Sequence, residues 1–370
     1  MGKRKIGILT MHCVVHHGSV LQAYATQELI RQLDFDAELI DYRYPNDWHY
    51  ANGYPHPKGK TTWKTRIAST FGLRPRYRKA HKIKKFMHKY YNLSKPYLSP
   101  ESLIDNPPLY DIYMVGSDQV WNPRFMQGDT MYLLAFAPEN CKRITLSSSF
   151  ACKVLPDKKI DSYRKELSKF YSISVREKQG TEIIRNLLGK DVKVTLDPTL
   201  LLDSTFWNLH AKNPKERDKF LFLYMLDYAY NPTPYIYDVV KYMQSKFGYK
   251  VYSYTNIPQE FNIQYIDVSD AGIEEFLGYI KYSSLVITSS FHGTAFSVNF
   301  GVPLLAIVPQ VREDDRLASL LEMLELSHCI VPYGTSAISL NPTYDVEKEQ
   351  RLLEYYRSDS VEYLRNALSD

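Results

Sequence analysis

The chain has 370 residues, 44% of them hydrophobic and 24% charged, a composition that fits a globular protein and excludes disordered, collagen-like and coiled-coil architectures. The length suits two domains, and no apolar run approaches the roughly 18 residues of a membrane span. The net charge of +5 is uneven: Trp48 to Pro100 holds 13 Lys and Arg and no Asp or Glu, leaving −8 on the rest, which points to an anionic partner.

The run Lys5–Thr10 predicts a buried first strand, and it is too short to serve with basic Met1–Lys5 as a signal peptide. Val20, Leu21, Tyr24, Ala25, Leu29 and Leu33 give Gly18–Leu33 helical spacing, and Ala37–Tyr42 reads as the second strand. Lys58–Lys95 reads as a basic insertion with helical stretches. Strands follow at Asp111–Val115, Arg143–Ser148, Ser172–Arg176 and Val192–Leu196, with helices at 157–170 and 178–188. Such alternation indicates a parallel sheet. A second series begins near Lys219. Its strands are Phe220–Leu226, Lys250–Thr255, Leu285–Thr288 and Pro303–Val308; its helices are Tyr235–Phe247, Ile273–Lys281, Thr294–Phe300 and Asp314–Leu324. Asp197–Asp203 is the expected hinge, because Pro198 stops a strand. The expected fold class is α/β: two doubly wound, Rossmann-like domains facing a cleft. Residues 1–200 form the first, with the basic insertion 48–100, and residues 201–345 the second; the charged helix 346–368 packs back on the first.

Ligands of open α/β sheets bind beyond the carboxyl ends of the strands, so the loops there are weighed for chemistry. In Met11–Ser19, Gly18 and Ser19 open a helix whose N–H groups could receive an anion; the alternative is a tight turn with a Ser cap. Gly116–Asn122 offers Ser117, Asp118, Gln119, Trp121 and Asn122 to a sugar or anion, with Asp118 as its chemical group, although a large aromatic beside a strand also suits a core. Arg176 ends a strand and suits bidentate capture of carboxylate or phosphate; an internal salt bridge or a pair with Glu177 is the alternative. Thr288–Thr294 brings Ser290, His292 and Gly293 to a strand end and helix start.

His12, His16 and His17 lack an acid or Cys at ligand spacing, so no metal is expected. Asp34-Phe35-Asp36 has the acid-x-acid pattern of sugar-transferase metal sites but falls at the wrong end of the sheet. No GxGxxG is present, which argues against a dinucleotide. The cysteines at 13, 141, 152 and 329 lack zinc spacing and read as reduced thiols of a cytoplasmic protein.

The stretches IGILT with GSVLQAY, YDIYMVGSDQVWNP, SISVREKQG, DPTLLL and SSFHGTAFSVNFGVPLLAI lie in order over roughly residues 5–320. Together they resemble the polysaccharide pyruvyl transferase family. The resemblance implies a GT-B-like two-domain fold and transfer of pyruvate from phosphoenolpyruvate to a sugar, giving a cyclic ketal and phosphate. It implies that Arg176 and His292 contact phosphoenolpyruvate, with His292 delivering a proton or neutralising phosphate, and it leaves Asp118 as the base for the sugar hydroxyl. No metal or cofactor beyond the donor is implied. The acceptor is expected on a polyprenyl diphosphate, in capsule or exopolysaccharide synthesis; the alternative is a GT-B glycosyltransferase using a nucleotide sugar. Nucleic acid is not an expected partner. Within Lys82–Tyr91, Ile83, Phe86, Met87 and Tyr90 share one helical face with Lys82, Lys85 and Lys89 away from it. Such a helix either lies on the anionic inner face of the membrane, giving peripheral contact through 58–95, or packs its apolar face on the first domain.

Overall fold

The computed structural model describes residues 2–43, 70–126, 129–214, 218–227, 230–311 and 314–369. Residues 44–69 of the basic insertion thus lie outside the described residues. The first half places β1 (Lys5–Leu9), β2 (Asp36–Leu39), β3 (Ile112–Val115) and β4 (Lys142–Thr145) in the parallel order β2-β1-β3-β4. Parallel bridges Ile144–Ser172 and Ser148–Val175 carry the sheet on from the β4 segment to that of the short β5 (Ser174–Val175), which pairs with β6 (Lys193–Val194). On the other edge, Leu39 and Tyr42 bridge Leu93 and Tyr97. The second half orders β7 (Phe220–Tyr224), β8 (Lys250–Ser253), β9 (Ile266–Asp267), β10 (Leu285–Thr288), β11 (Leu304–Val308) and β12 (Ile330–Pro332) as β12-β11-β10-β7-β8-β9. Apolar strands such as β7 are buried at every residue, as both faces of a covered parallel sheet require. The expected α/β class, with two doubly wound parallel sheets, is what the chain adopts.

In each half the first strand sits mid-sheet, beside the strand where winding reverses: β1 beside β3, and β7 beside β10. Such a switch point leaves a crevice beyond the strands' carboxyl ends. The helices that frame the two crevices are α1 (His17–Gln32), α2 (Pro75–Tyr90), α3 (Lys178–Leu188), α4 (Ile273–Lys281), α5 (Phe291–Asn299), α6 (Arg316–Met323) and α7 (Val346–Leu368). One apolar core runs from Ile6 and Ile8 of β1 through α1 to Phe220, Phe276 and Phe296 of the second half. Helix α7 spans both halves: Gln350 donates to the Val298 carbonyl, Arg357 to that of Leu200 and Tyr363 to that of Thr145.

Helix α2 has the expected amphipathic spacing, with Tyr77, Ala80, Ile83, Phe86 and Met87 buried. Its apolar face is packed within the protein, where Phe86 meets Tyr24 of α1 edge-on at 5.3 Å. The expectation that this face lies on a membrane is therefore corrected, because the face is already occupied. Part of its basic side is also engaged: Arg78 pairs with Asp270 at 2.7 Å and Lys82 with Glu275 at 3.4 Å. Among the described residues, no helix is long and apolar enough to cross a membrane.

Candidate active site

The two switch points meet around a cavity of about 240 Å³. The β1 loop contributes His16 and Ser19, and the β3 loop Asp118 and Gln119. From the second half come Ser290, Phe291 and His292, while Lys79, Tyr254 and Arg316 complete the wall.

The helix expected over Thr294–Phe300 starts earlier, at Phe291, because the Ser290 side chain caps it by accepting from the Gly293 N–H at 3.3 Å. His292 therefore stands in the first helical turn rather than in a loop. The imidazole is 3% exposed, and its Nε2 lies 3.8 Å from Asp197 Oδ2 without a hydrogen-bond partner among the described residues. Burial lowers its pKa, Asp197 and Asp118 oppose this, and Arg176 and Arg316 reinforce it. The net shift is downward, so the ring is neutral near pH 7.

Behind the cavity wall lies a buried ionic network. Asp197 accepts from Ser117 Oγ at 2.7 Å, Arg176 at 2.8 Å and the Thr199 hydroxyl at 2.7 Å. Arg176 also faces Asp118 at 3.6 Å and covers the Phe291 ring at 4.3 Å. Asp118, at φ +74°, is in the left-handed region that non-glycine residues seldom adopt and that often marks working sites. Its Oδ2 takes the Ser19 hydroxyl at 2.6 Å, and its Oδ1 takes the Gln119 N–H at 2.9 Å. Burial would raise its pKa, but Arg176, His292 and Ser19 outweigh burial and hold the carboxyl well below its usual range.

These contacts correct several expectations. Arg176 is absent from the cavity lining; its side chain is 1% exposed and forms the internal salt bridge with Asp197, while its Nε and Nη2 have no hydrogen-bond partner among the described residues. Asp118 lines the cavity, but a carboxylate so strongly stabilised in its charged form is a weak proton acceptor and suits orientation better than base catalysis. Trp121 is fully buried, donates to the Tyr132 carbonyl at 3.0 Å and packs on Phe150, so it belongs to the core rather than to a sugar platform. Asn122 is consumed locally by Gln119 and the Arg124 N–H, and Ser117 by Asp197 and the Ser147 carbonyl. Gly18 and Gly293 serve packing rather than ligand approach. A Cβ on Gly18 would come 2.1 Å from His292 Nδ1, and one on Gly293 would come 2.5 Å from Thr288 Oγ1. The Ser19 N–H, expected to await an anion, is taken by His16 Nδ1 at 3.2 Å. Glu177 does not pair with Arg176; it accepts the Phe150 N–H at 2.9 Å.

Ser19, Asp118, Gln119, Ser290 and His292 reach the cavity as the sequence suggests. His16, Lys79, Tyr254 and Arg316 were not singled out from sequence as site residues. Arg316 follows the charged stretch after β11 and is gripped by Asp314, with Nε 2.8 Å from Oδ1; charges directly beyond a buried strand are the signal that could have found it. Lys79 sits on α2 and donates to the Tyr254 hydroxyl at 2.7 Å, a pairing across the halves that no local pattern encodes. The neighbouring histidines are structural: His12 pairs with Asp41 at 3.0 Å, and His17 bonds the Ala271 carbonyl at 2.8 Å and stacks on Phe276.

The chain matches the polysaccharide pyruvyl transferase family over residues 16–310, and it belongs to that family. No curated protein matches it in sequence. Among solved structures it is similar to the glycotransferase of kitacinnamycin (TM-score 0.49, 10% identity, covering 99% of this chain and 100% of that one). It is also similar to UDP-GlcNAc 2-epimerase from Neisseria meningitidis bound to UDP-GlcNAc (TM-score 0.47, 9% identity, 98% and 99% covered). A third is UDP-GlcNAc 2-epimerase from Methanocaldococcus jannaschii (TM-score 0.44, 13% identity, 95% and 99% covered).

Proposed function

We propose that this polysaccharide pyruvyl transferase uses phosphoenolpyruvate as donor and forms a cyclic pyruvate ketal on a sugar, releasing phosphate. The observation that carries the reading is His292: a buried, neutral imidazole with an unpartnered Nε2, beside a small cavity walled by Lys79 and Arg316. At about 240 Å³ the cavity falls below the roughly 300–1,000 Å³ of sites for larger ligands. It suits a three-carbon phosphate better than a nucleotide sugar.

The donor brings a carboxylate and a phosphate. Their negative charge raises the pKa of His292, which takes up a proton as the donor binds. That proton goes to the vinyl CH2 and turns it into a methyl group, leaving an oxocarbenium-like carbon. A sugar hydroxyl adds there, the C–O bond to phosphate breaks, and a second hydroxyl closes the ketal. Of the two hydroxyl protons, one restores His292 and one leaves on phosphate. Lys79 and Arg316 neutralise the departing phosphate, so the scheme needs no metal or other cofactor.

The acceptor in this reading is a sugar on a polyprenyl diphosphate, met at the inner face of the membrane. Because the apolar face of α2 is packed, contact with an anionic membrane would rest on exposed charges such as Lys85 and Lys89 alone. The test is mass measurement on lipid-linked sugars incubated with the enzyme and phosphoenolpyruvate. The expected product is heavier by one pyruvate ketal, with one phosphate released per ketal. Phosphate release without a change in sugar mass, or stabilisation by nucleotide sugars and not by phosphoenolpyruvate, would refute the reading.

A further inference from the structure

The cleft contains a second imidazole with an unpartnered Nε2, which the scheme above leaves without a task. His16 is the N-cap of α1 and lines the cavity with its ring 6.0 Å from that of His292. We propose that His16 is a substrate-binding residue: a neutral imidazole fixed as its Nε2–H tautomer, which donates a hydrogen bond to the anionic group held in the cleft. The identity of that anion as phosphoenolpyruvate rests on the reading above; the tautomer and the donor role do not.

The tautomer follows from proton bookkeeping. The Ser19 backbone N–H points at His16 Nδ1 over 3.2 Å. A backbone N–H can only donate, so Nδ1 must present its lone pair. The Ser19 hydroxyl also lies 3.2 Å from Nδ1, but it donates to Asp118 Oδ2 at 2.6 Å and has no further hydrogen to offer. In a neutral ring the hydrogen then sits on Nε2. That atom is buried and has no acceptor among the described residues. A buried donor without a partner is costly, and native structures keep one where a ligand or water supplies the acceptor.

The surroundings keep the ring neutral. The charged and titratable groups facing it are His292 on α5, Asp118 in the β3 loop, Lys79 on α2 and Arg316 on α6. Burial is the largest cause, His292, Lys79 and Arg316 add to it, and Asp118 opposes it; the pKa falls to about 4. A neutral imidazole at a helix N-terminus serves as a hydrogen-bond donor without exchanging protons during turnover. Two histidines of one cleft thereby divide the work: His292 gains a proton with the donor, and His16 keeps the one it has.

Two measurements test this. Long-range 1H–15N spectra of the full chain labelled at histidine, with His16 assigned by its loss in His16→Asn, should show Nδ1 unprotonated and Nε2 protonated at pH 7. A proton on Nδ1, or a charged ring at pH 7, overturns the proposal. Calorimetry then compares wild type, His16→Asn and His16→Ser with phosphoenolpyruvate and with inorganic phosphate. Asn and Ser both supply a cap oxygen for α1 in place of Nδ1, but only Asn retains an N–H donor, which stops short of the Nε2 position. Binding should be weaker by about tenfold or more in His16→Ser, the scale of a hydrogen bond to a charged group, and weakened less in His16→Asn. Equal binding by His16→Ser and wild type overturns the role of His16 and leaves the proposed reaction standing. Wild type that binds phosphate but not phosphoenolpyruvate refutes that reaction, while the same order of variants with phosphate upholds His16. Wild type that binds neither anion overturns both.

Discussion

The two walls of the cleft both rest on parallel sheets with the first strand mid-sheet but use their polar residues differently. On the first-half wall, Ser117, Asp118 and Asp197 spend their hydrogen-bonding capacity within the protein, and Arg176 is tied to Asp197 through Nη1 while its Nε and Nη2 have no hydrogen-bond partner among the described residues. On the second-half wall, Ser290 caps α5 and the His292 imidazole stays without a partner at Nε2. The first wall fixes geometry and field; the second leaves a titratable group for the substrate. A polar cluster after a buried strand can therefore be a finished foundation or an open site, and only partner counting separates the two. His16 and Arg176 are exceptions on the first wall.

If the comparison is right, His292→Ala melts close to wild type and loses roughly 10²–10⁴ of kcat, the usual weight of a general acid or base. Near wild-type turnover would move the chemistry to the other wall. The complementary change is Asp197→Ala, which leaves the Arg176 guanidinium buried without its nearest carboxylate. Breaking such a pair costs about 3–5 kcal/mol, so denaturant unfolding should show the larger loss there. A melt like that of wild type, with only a raised KM for phosphoenolpyruvate, would make this network part of the open site after all.

The seam between the walls is sensitive at Gly18. Its would-be Cβ lies 2.1 Å from His292 Nδ1, so Gly18→Ala must displace the imidazole. Overpacking of this kind costs about 1–3 kcal/mol, and kcat should fall with stability, whereas a change in stability alone would show that His292 tolerates movement. The pH dependence sharpens the same point. Both ring pKa values are lowered on folding, that of His16 to about 4 from an ordinary 6.5. Below about 6.5 the unfolded state binds more protons at these rings, so their contribution to stability falls as pH drops, by at most about 1.4 kcal/mol per pH unit for each group. Asp118 and Asp197, whose pKa values are depressed, lose their contribution only at lower pH, below the ordinary carboxylate value. His16→Asn should flatten the upper window and leave the acid limb unchanged in a pH series of thermal melts.

Much of this was legible in the sequence, for reasons that also explain the failures. Strand β7 reads as FLFLY and is buried at every residue, because a run apolar on both faces has no alternative to a covered sheet. The switch-point loops were legible from position alone, and they delivered Asp118, Ser290 and His292 to the cavity. What the sequence could not give was direction. Trp121 and Gln119 stand two residues apart in one loop, yet Trp121 points to Tyr132 and the core while Gln119 lines the cavity. Arg176 reads as an anion receptor, with an internal pair only as the alternative, because its partner Asp197, at 2.8 Å, lies 21 positions later. Gly18 and Gly293 looked like ligand-approach glycines; their neighbours are side chains from other strands and helices, which no local pattern reveals.

The smallest expected effect concerns α2, where the contrast between used and open surface recurs on a single helix. Its apolar face is packed and its Arg78 and Lys82 are paired across the halves, while Lys85 and Lys89 remain exposed. A helix in this state cannot insert an apolar stripe into a bilayer, so any docking is electrostatic and confined to within a Debye length of roughly 8–10 Å. Sedimentation with anionic vesicles at low salt should therefore show weak binding that disappears at high salt and with neutral vesicles. Lys85→Glu with Lys89→Glu should weaken it several-fold and leave the melting temperature unchanged, since neither residue supports the core. Binding that survives high salt, or that is equal on neutral vesicles, would mean that an apolar surface other than α2's packed face is open to lipid. Residues 44–69 would then be the segment to delete next, with vesicle binding as the readout and phosphoenolpyruvate turnover as the control that the cleft remains intact.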